Sequence, residues 1–143
     1  MKITICGSLA FSQEMGKIAK ELENLGHEVL LPASTEKILK GIFDQKEIDS
    51  EKGTQAAADR VIKNNAIINH HKKIESSDAI LVVNEDKNNI SGYIGGSSFL
   101  EIGFAFILNK KIFLLNNIPE ISYTDEIVAM QPIVLAKDLS NIK

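Results

Sequence analysis

Apolar positions along the chain fall into short continuous runs, separated by stretches with helical spacing. The runs predict five β-strands, over residues 2–6, 27–31, 79–83, 111–115 and 133–135. The stretches predict helices over residues 11–25, 54–77, about 99–109 and 123–130. Residues 79–83 are apolar at every position, which is typical of a central strand covered on both faces. The pattern indicates an α/β protein.

The beginning of the chain carries the clearest unit. One face of its first helix is apolar and holds Phe11, Met15, Ile18, Leu22 and Leu25. Gly26 follows the last of these positions, where a C′ glycine ends many helices. A strand, a helix and a strand within about 30 residues form a βαβ unit, whose strands are parallel and whose crossover is right-handed.

Two segments lie between the second and third predicted strands. Residues 33–53 are charged and hold a single apolar cluster, so they predict a short helix in a mobile excursion. Residues 54–77 predict one long helix, whose apolar stripe consists of Ala57, Val61, Ile68, His71 and Ile74.

These elements predict a single domain over residues 1–143, a doubly wound, Rossmann-like sheet of five parallel strands with helices on both faces. Such sheets bind ligands outside the carboxyl ends of their strands. The loops of interest are therefore residues 7–11, the segment after Pro32, residues 84–98 and residues 116–123.

The turn after the first strand is Gly7-Ser8. Glycine lets the backbone approach a ligand, and the helix that follows offers free N–H groups to a phosphate. Neither G-x-G-x-x-G nor G-x-x-x-x-G-K-[ST] is present, so an ordinary tight turn is the alternative.

A richer loop precedes the helix near residue 99. Its end reads Gly95-Gly96-Ser97-Ser98, and backbone N–H groups, hydroxyls and the helix dipole would all favour an anion there. Glu101 is predicted in the first turn of the helix, at the ligand-binding end of the sheet. The alternative is a capping box, in which Ser98 and Glu101 merely satisfy donors at the helix end.

Other polar residues are weaker candidates. Asp86 lies in the same loop and is a candidate binding carboxylate. His70 and His71 are adjacent on a helix, so they face different ways and do not form an i, i+4 metal pair. Because Cys6 is the single thiol, neither a disulfide nor a cysteine zinc site is expected. We expect no metal and no cofactor.

Composition narrows the range of partners. The chain is 44% hydrophobic and 24% charged, as in globular proteins. Its net charge is −3, so it lacks the excess of basic residues that is typical of proteins that bind a nucleic acid polymer. No signal peptide is recognisable, and no stretch approaches the roughly 18 apolar residues of a membrane helix. We expect a cytosolic protein without a membrane partner.

Four segments follow the order of one family. They are residues 3–8, residues 77–83, Gly96 through Glu101-Ile102-Gly103-Phe104-Ala105, and residues 111–115. The chain resembles the nucleoside 2-deoxyribosyltransferase superfamily, which includes the 2′-deoxynucleoside 5′-phosphate N-hydrolases. The resemblance covers most of the chain and is weakest between Pro32 and Thr54.

The resemblance implies an N-glycosidic-bond enzyme acting on a (deoxy)nucleoside or nucleoside monophosphate. Glu101 would be the nucleophile, and Gly7-Ser8 with Gly95 to Ser98 would hold the sugar or its 5′-phosphate. Water as acceptor would give hydrolysis, and a second base would give transfer. A homodimer or larger homo-oligomer is implied, in which the segment from Tyr123 to Met130 contributes across the interface to substrate binding.

Two positions differ from the family pattern. His70 stands where members of the family usually carry an Asp. A histidine at this position can act as an acid or a base. The alternative is that the substitution has changed or abolished the activity. The first loop lacks the Arg that phosphate-preferring hydrolases place there.

Two other functions stay open. The Gly-Gly…Glu stretch resembles, more loosely, the lysine-decarboxylase-like phosphoribohydrolases and their sensor relatives, which suggests a non-catalytic nucleotide-sensing module. The remaining alternative is a housekeeping α/β domain with a capped helix.

Overall fold

Five strands and seven α-helices make up the computed structural model, which describes residues 1–143. The strands are β1 Lys2–Cys6, β2 Glu28–Leu30, β3 Ala79–Val82, β4 Lys111–Leu114 and β5 Ile133–Val134. The helices are α1 Ser12–Asn24, α2 Ala33–Leu39, α3 Gln45–Glu51, α4 Gln55–Lys63, α5 Ala66–Glu75, α6 Gly96–Ile107 and α7 Thr124–Ala129. Two 3-10 turns cover Leu9–Phe11 and Leu139–Asn141. No helix has the length and apolar character needed to cross a membrane.

All five strands are parallel and lie in the order β2-β1-β3-β4-β5, which confirms the predicted doubly wound sheet. The chain moves outward from β1 to β2 and then returns to build the sheet on the other side of β1. The order therefore reverses between β1 and β3. The loops that leave these two strands diverge, which creates the crevice where doubly wound proteins bind ligands.

Side-chain alternation along β1 divides the core into two layers. Ile3 and Ile5 pack in the layer that contains α1, together with Met15 and Leu22. Cys6 points to the opposite face, in the layer that contains residues of α5, α6 and α7. Successive side chains of a strand point to opposite faces, so Cys6, which directly follows Ile5, points toward α5 and α6.

The unit formed by β1, α1 and β2 is as the sequence predicts. Gly26 has a φ of +90° immediately after the C-cap Leu25, which is the left-handed C′ geometry that glycine adopts most easily. Leu25 itself is 52% exposed because the helix ends before it.

The prediction of one long helix over residues 54–77 is wrong. Asn65 has a φ of +50°, a left-handed conformation that ends α4 and starts α5 in a new direction. The buried side of α5 consists of His70 and Ile74, whereas Ile68, on the predicted stripe, is exposed. His71 lies half-buried with its ring edge-on to Phe104, the ring centroids 4.9 Å apart.

Residues 33–53 form two short helices where one was predicted. Thr35 of α2 is buried, and its hydroxyl lies 3.1 Å from that of Ser12. Ile38 and Ile48 are also buried. These contacts pack α2 against α1 and bring α3 beside the turn at Leu9–Phe11, above the carboxyl end of the sheet.

Candidate active site

A cavity of about 310 Å³ opens at the carboxyl ends of β1, β2 and β3. Its lining includes Gly7 and Ser8 after β1, residues 32–34 after β2, and Gly95, Gly96, Ser97 and Ser98 at the start of α6. Helices α3, α4 and α5 cover the other side. The two glycine-containing turns that the sequence identifies thus meet in one cavity. Gly7 has a packing role as well, since a Cβ there would lie 3.1 Å from the Val83 carbonyl oxygen.

Helix α6 begins earlier than the sequence predicts, and this excludes the capping box. The N-cap is Gly95, and no side chain caps the helix. Ser98 is a buried residue of the first turn, so Glu101 lies in the second turn and cannot reach back to an N-cap at Ser98. The residues of the first turn, whose N–H groups have no partner within the helix, line the cavity, and Glu101, whose side chain is 17% exposed, lines it as well.

Three side chains from three elements converge at the base of the cavity, where His70 and Glu101 line it and Cys6 lies buried behind them. His70 Nε2 lies 3.8 Å from Glu101 Oε1 and 3.5 Å from the Cys6 sulfur. The thiol is fully buried, and the imidazole is 8% exposed. His70 Nδ1 is buried without a hydrogen-bond partner, and Nε2 faces both the Cys6 sulfur and the Glu101 carboxyl group.

Burial controls the protonation of this group. It raises the pKa of Glu101 to about 8 from its ordinary value of 4.5, against a smaller lowering by the Cys6 thiol. Burial, with a contribution from the nearby Lys73, lowers the pKa of His70 to about 4. Burial also raises the pKa of Cys6, and Glu101 adds to that effect. All three side chains are therefore predominantly neutral near pH 7, because a buried charge without a compensating partner is unfavourable.

The cavity lining also holds four cationic side chains and one further carboxyl group, from Lys52, Arg60, Lys73, Lys87 and Asp49. Lys87 Nζ donates a hydrogen bond to Ser8 Oγ over 3.1 Å, and burial followed by repulsion from Lys52 lowers the pKa of Lys87. Lys73 Nζ donates to the Leu31 carbonyl oxygen over 2.7 Å. Arg60, which also lines the cavity, pairs with Glu51. These groups make the cavity suited to an anionic ligand.

Neither these cations nor Cys6 were predicted as site residues from the sequence. Lys73 lies three residues after His70, so i, i+3 spacing on one helix face was a usable signal for it. Lys52 and Arg60 carried no such signal, because only the folding of α3 and α4 over the sheet brings them to the cavity.

Two predicted binding residues lie outside the cavity. Asp86 Oδ1 accepts a hydrogen bond from the Gly92 backbone over 2.9 Å and so closes its own loop. Met130 is the C-cap of α7 and packs partly buried against the core layer of α5, α6 and α7. Neither contacts the group formed by Cys6, His70 and Glu101 within this chain.

The same group has the composition of a metal-ligand set. One ligand atom each from Cys6, His70 and Glu101 lies within 4.8 Å of the others. The sequence predicted no metal site, because a single thiol and two adjacent histidines each fail to form a ligand set by themselves. The tertiary structure instead combines one thiol, one imidazole and one carboxyl group.

No protein-family model matches the chain. No curated protein sequence matches it. Among solved structures, the chain is similar to the 2-deoxyribosyltransferase of the psychrotolerant bacterium Bacillus psychrosaccharolyticus, with 19% sequence identity and a TM-score of 0.46. The similarity covers 80% of this chain and 72% of that one.

Proposed function

We propose that the chain cleaves or transfers the N-glycosidic bond of a (deoxy)nucleoside or nucleoside monophosphate, with Glu101 as the nucleophile. The observation that carries the proposal is the position of the Glu101 carboxyl group, buried in a cavity at the switch point of the sheet and 3.8 Å from His70. The volume of about 310 Å³ is at the lower end of the range for small-molecule sites.

The first step joins the sugar to the protein. A Glu101 carboxylate oxygen forms a bond to the anomeric carbon, and the bond from that carbon to the base nitrogen breaks. The base leaves with the electron pair of the broken bond and takes up a proton. In the second step water, or a ring N–H of a second base, attacks the same carbon, gives up its proton to His70 and releases the Glu101 carboxylate.

His70 handles the protons in this scheme. Glu101 must lose its proton before it attacks, and His70 Nε2 is the nearest basic atom to receive it. Transfer creates an imidazolium beside a carboxylate, and the imidazolium can then give the proton to the departing base. In the free protein the pKa of His70, about 4, lies below that of Glu101, about 8, so this transfer is unfavourable there and requires the bound substrate to stabilise the ion pair.

The cations of the cavity support the monophosphate over the unphosphorylated nucleoside. Lys87 and Ser8 already share a hydrogen bond, and the N–H groups at the start of α6 line the same cavity. A phosphate between them would receive charge-assisted hydrogen bonds. These residues would replace the arginine that the first loop lacks.

The proposal includes a second copy of the chain. Helix α5 and the neighbouring α6 expose large apolar side chains outside the cavity, with Ile68 52% exposed, Phe106 46% exposed and Ile107 77% exposed. Apolar exposure on adjoining helices is typical of an interface. Met130 would reach substrate only from a partner chain, since it lies outside the cavity of its own. Sedimentation of the wild type and of Ile107→Glu tests this, with a monomeric wild type as the contrary result.

A nucleotide-binding module without turnover is the second candidate. The observation in its favour is that Glu101 and His70 are both neutral in the free protein. The free protein therefore has no carboxylate that is ready to act as a nucleophile. Such a module would bind an intact nucleotide through the same cations.

The test of catalysis is release of free base from a panel of nucleosides, deoxynucleosides and their monophosphates. We expect base release from at least one monophosphate by the wild type and none by Glu101→Gln. Glu23→Gln, a matched change at an exposed carboxyl group of α1, should leave the rate unchanged. Acid quenching during turnover should trap a protein heavier by one glycosyl group, with the added mass on the peptide that contains Glu101.

The outcomes separate the two candidates. Base release that persists in Glu101→Gln would overturn the role of Glu101 as nucleophile. A ligand that raises the melting temperature but is recovered intact, with no base released by any panel member, would favour the binding module.

A further inference from the structure

The group of Cys6, His70 and Glu101 sits on three regular elements. Cys6 is the last residue of β1, His70 lies inside α5 and Glu101 lies in the second turn of α6. We propose that these three side chains form a binding site for a single divalent cation of the zinc type. Ligands held on strands and helices keep their relative positions better than ligands on loops, so the site is largely formed before the ion arrives.

The distances between the ligand atoms suit such an ion. A zinc–sulfur bond of about 2.3 Å and a zinc–nitrogen bond of about 2.0 Å at a tetrahedral angle separate the two atoms by about 3.5 Å. Cys6 Sγ and His70 Nε2 are 3.5 Å apart. His70 Nε2 and Glu101 Oε1 are 3.8 Å apart, and all three atoms lie within 4.8 Å of one another.

Charge balance favours the occupied site. One thiolate and one carboxylate together carry two negative charges, and a divalent cation cancels both while each ligand gives up its proton. The imidazole contributes a neutral nitrogen. The complex therefore has no net charge to bury, whereas either anion alone would be costly at this depth. Mixed sulfur, nitrogen and oxygen ligands select zinc and related transition metals over magnesium or calcium.

Three protein ligands leave the fourth tetrahedral position free. Because His70 and Glu101 line the cavity whereas Cys6 is fully buried, an ion would enter from the cavity, and a water or ligand there would complete its coordination. An ion held there would occupy the carboxylate of Glu101. The consequence for activity rests on the proposed function: a bound ion would remove the nucleophile and inhibit base release.

Cobalt(II) tests the site independently of activity. Chelator-treated protein should bind one Co²⁺ per chain and develop a near-ultraviolet thiolate-to-cobalt charge-transfer band, with visible bands of four-coordinate intensity. One equivalent of Zn²⁺ should remove these bands. Cys6→Ser should lose the charge-transfer band, and Glu101→Gln should lose four-coordinate binding at stoichiometric cobalt.

His71→Ala is the matched control, since His71 is the adjacent imidazole and packs against Phe104 outside the group. It should keep the full spectrum, whereas His70→Ala should lose it. Far-ultraviolet circular dichroism checks that each variant is folded. Cys6→Ser and Glu101→Gln change the side-chain volume least, so these two variants are expected to keep the fold.

Three results would overturn the site: no stoichiometric Co²⁺ binding by the wild type, binding without a thiolate band, or a wild-type spectrum in folded Cys6→Ser. The activity arm is read separately. If the cobalt spectrum appears and no base is released under any condition, the metal site stands and the proposed enzymatic function fails. If base is released and no cobalt spectrum appears, the proposed enzymatic function stands and the metal site fails.

Discussion

Replacing Glu101 with glutamine should change how the stability of the chain depends on pH. The side chain is 17% exposed, and burial raises its pKa from 4.5 to about 8. Glutamine has nearly the same size and stays neutral at every pH. The variant therefore removes a titration and little else.

The magnitude follows from linkage between protonation and folding. Below pH 4.5 the carboxyl group is protonated in both the folded and the unfolded chain, so its full contribution to stability is present. As the pH rises, the unfolded chain ionises first, and the free energy of unfolding falls by about 1.4 kcal/mol per pH unit. Above about 8 both states are ionised, and the accumulated loss stays at roughly 4 to 5 kcal/mol.

The assay is urea unfolding of the wild type and Glu101→Gln, with a chelator in every buffer. Between about pH 5 and about pH 8 the variant should gain roughly 3 to 4 kcal/mol over the wild type. Glu23→Gln, at an exposed position of α1, should follow the wild-type curve. A free-energy difference between wild type and Glu101→Gln that is constant over this range, or that shrinks as the pH rises, would refute the argument from burial.

Further predictions concern the loops around the cavity. Lys87→Met should weaken binding of a nucleoside monophosphate about tenfold relative to the nucleoside, since a charge-assisted hydrogen bond contributes roughly 1.5 kcal/mol. Calorimetric titration measures both affinities, and an unchanged ratio would remove Lys87 from phosphate binding. Asn84→Leu should lower the free energy of unfolding by roughly 2 to 4 kcal/mol, because buried Asn84 accepts from the Asn116 backbone over 2.9 Å and donates to the Asn117 carbonyl over 3.0 Å. Urea unfolding checks this, and a loss under about 1 kcal/mol would contradict it. Gly92→Ala should cost roughly 2 kcal/mol or more, because the φ is +67° and the new Cβ would lie 2.5 Å from the Asn117 oxygen. A melting temperature equal to that of the wild type would show that the loop relaxes freely.

The patterning of the chain was sufficient to predict the sheet. Runs such as residues 79–83 are apolar at every position, and Gly26 ends the helix after the first strand. These signals are local, since a buried central strand and a C′ glycine each leave a mark within a few residues. The number of strands, their parallel arrangement and the end of the sheet that holds the cavity therefore followed from sequence.

Local sequence patterns led to wrong predictions where the same spacing fits two different structures. Ser98 and Glu101 have the spacing of a capping box, and only the start of α6 at Gly96 excludes it. Residues 54–77 have continuous helical periodicity, yet Asn65 adopts a left-handed conformation that divides them. The apolar periodicity does not reveal a break between two helices, because one residue with a positive φ leaves the apolar pattern on both sides almost unchanged.

The group at the base of the cavity depended on tertiary structure alone. By itself the sequence determined that Glu101 follows a glycine-rich crossover at the ligand-binding end of the sheet. It could not place Cys6 beside Glu101, since the two are joined only by the pairing of β1 with β3 and by the packing of α5 and α6 against the same face. The pKa values of Glu101 and His70 were decided in the same way. Desolvation is a property of everything that surrounds a side chain, and those surroundings come from segments distant in sequence.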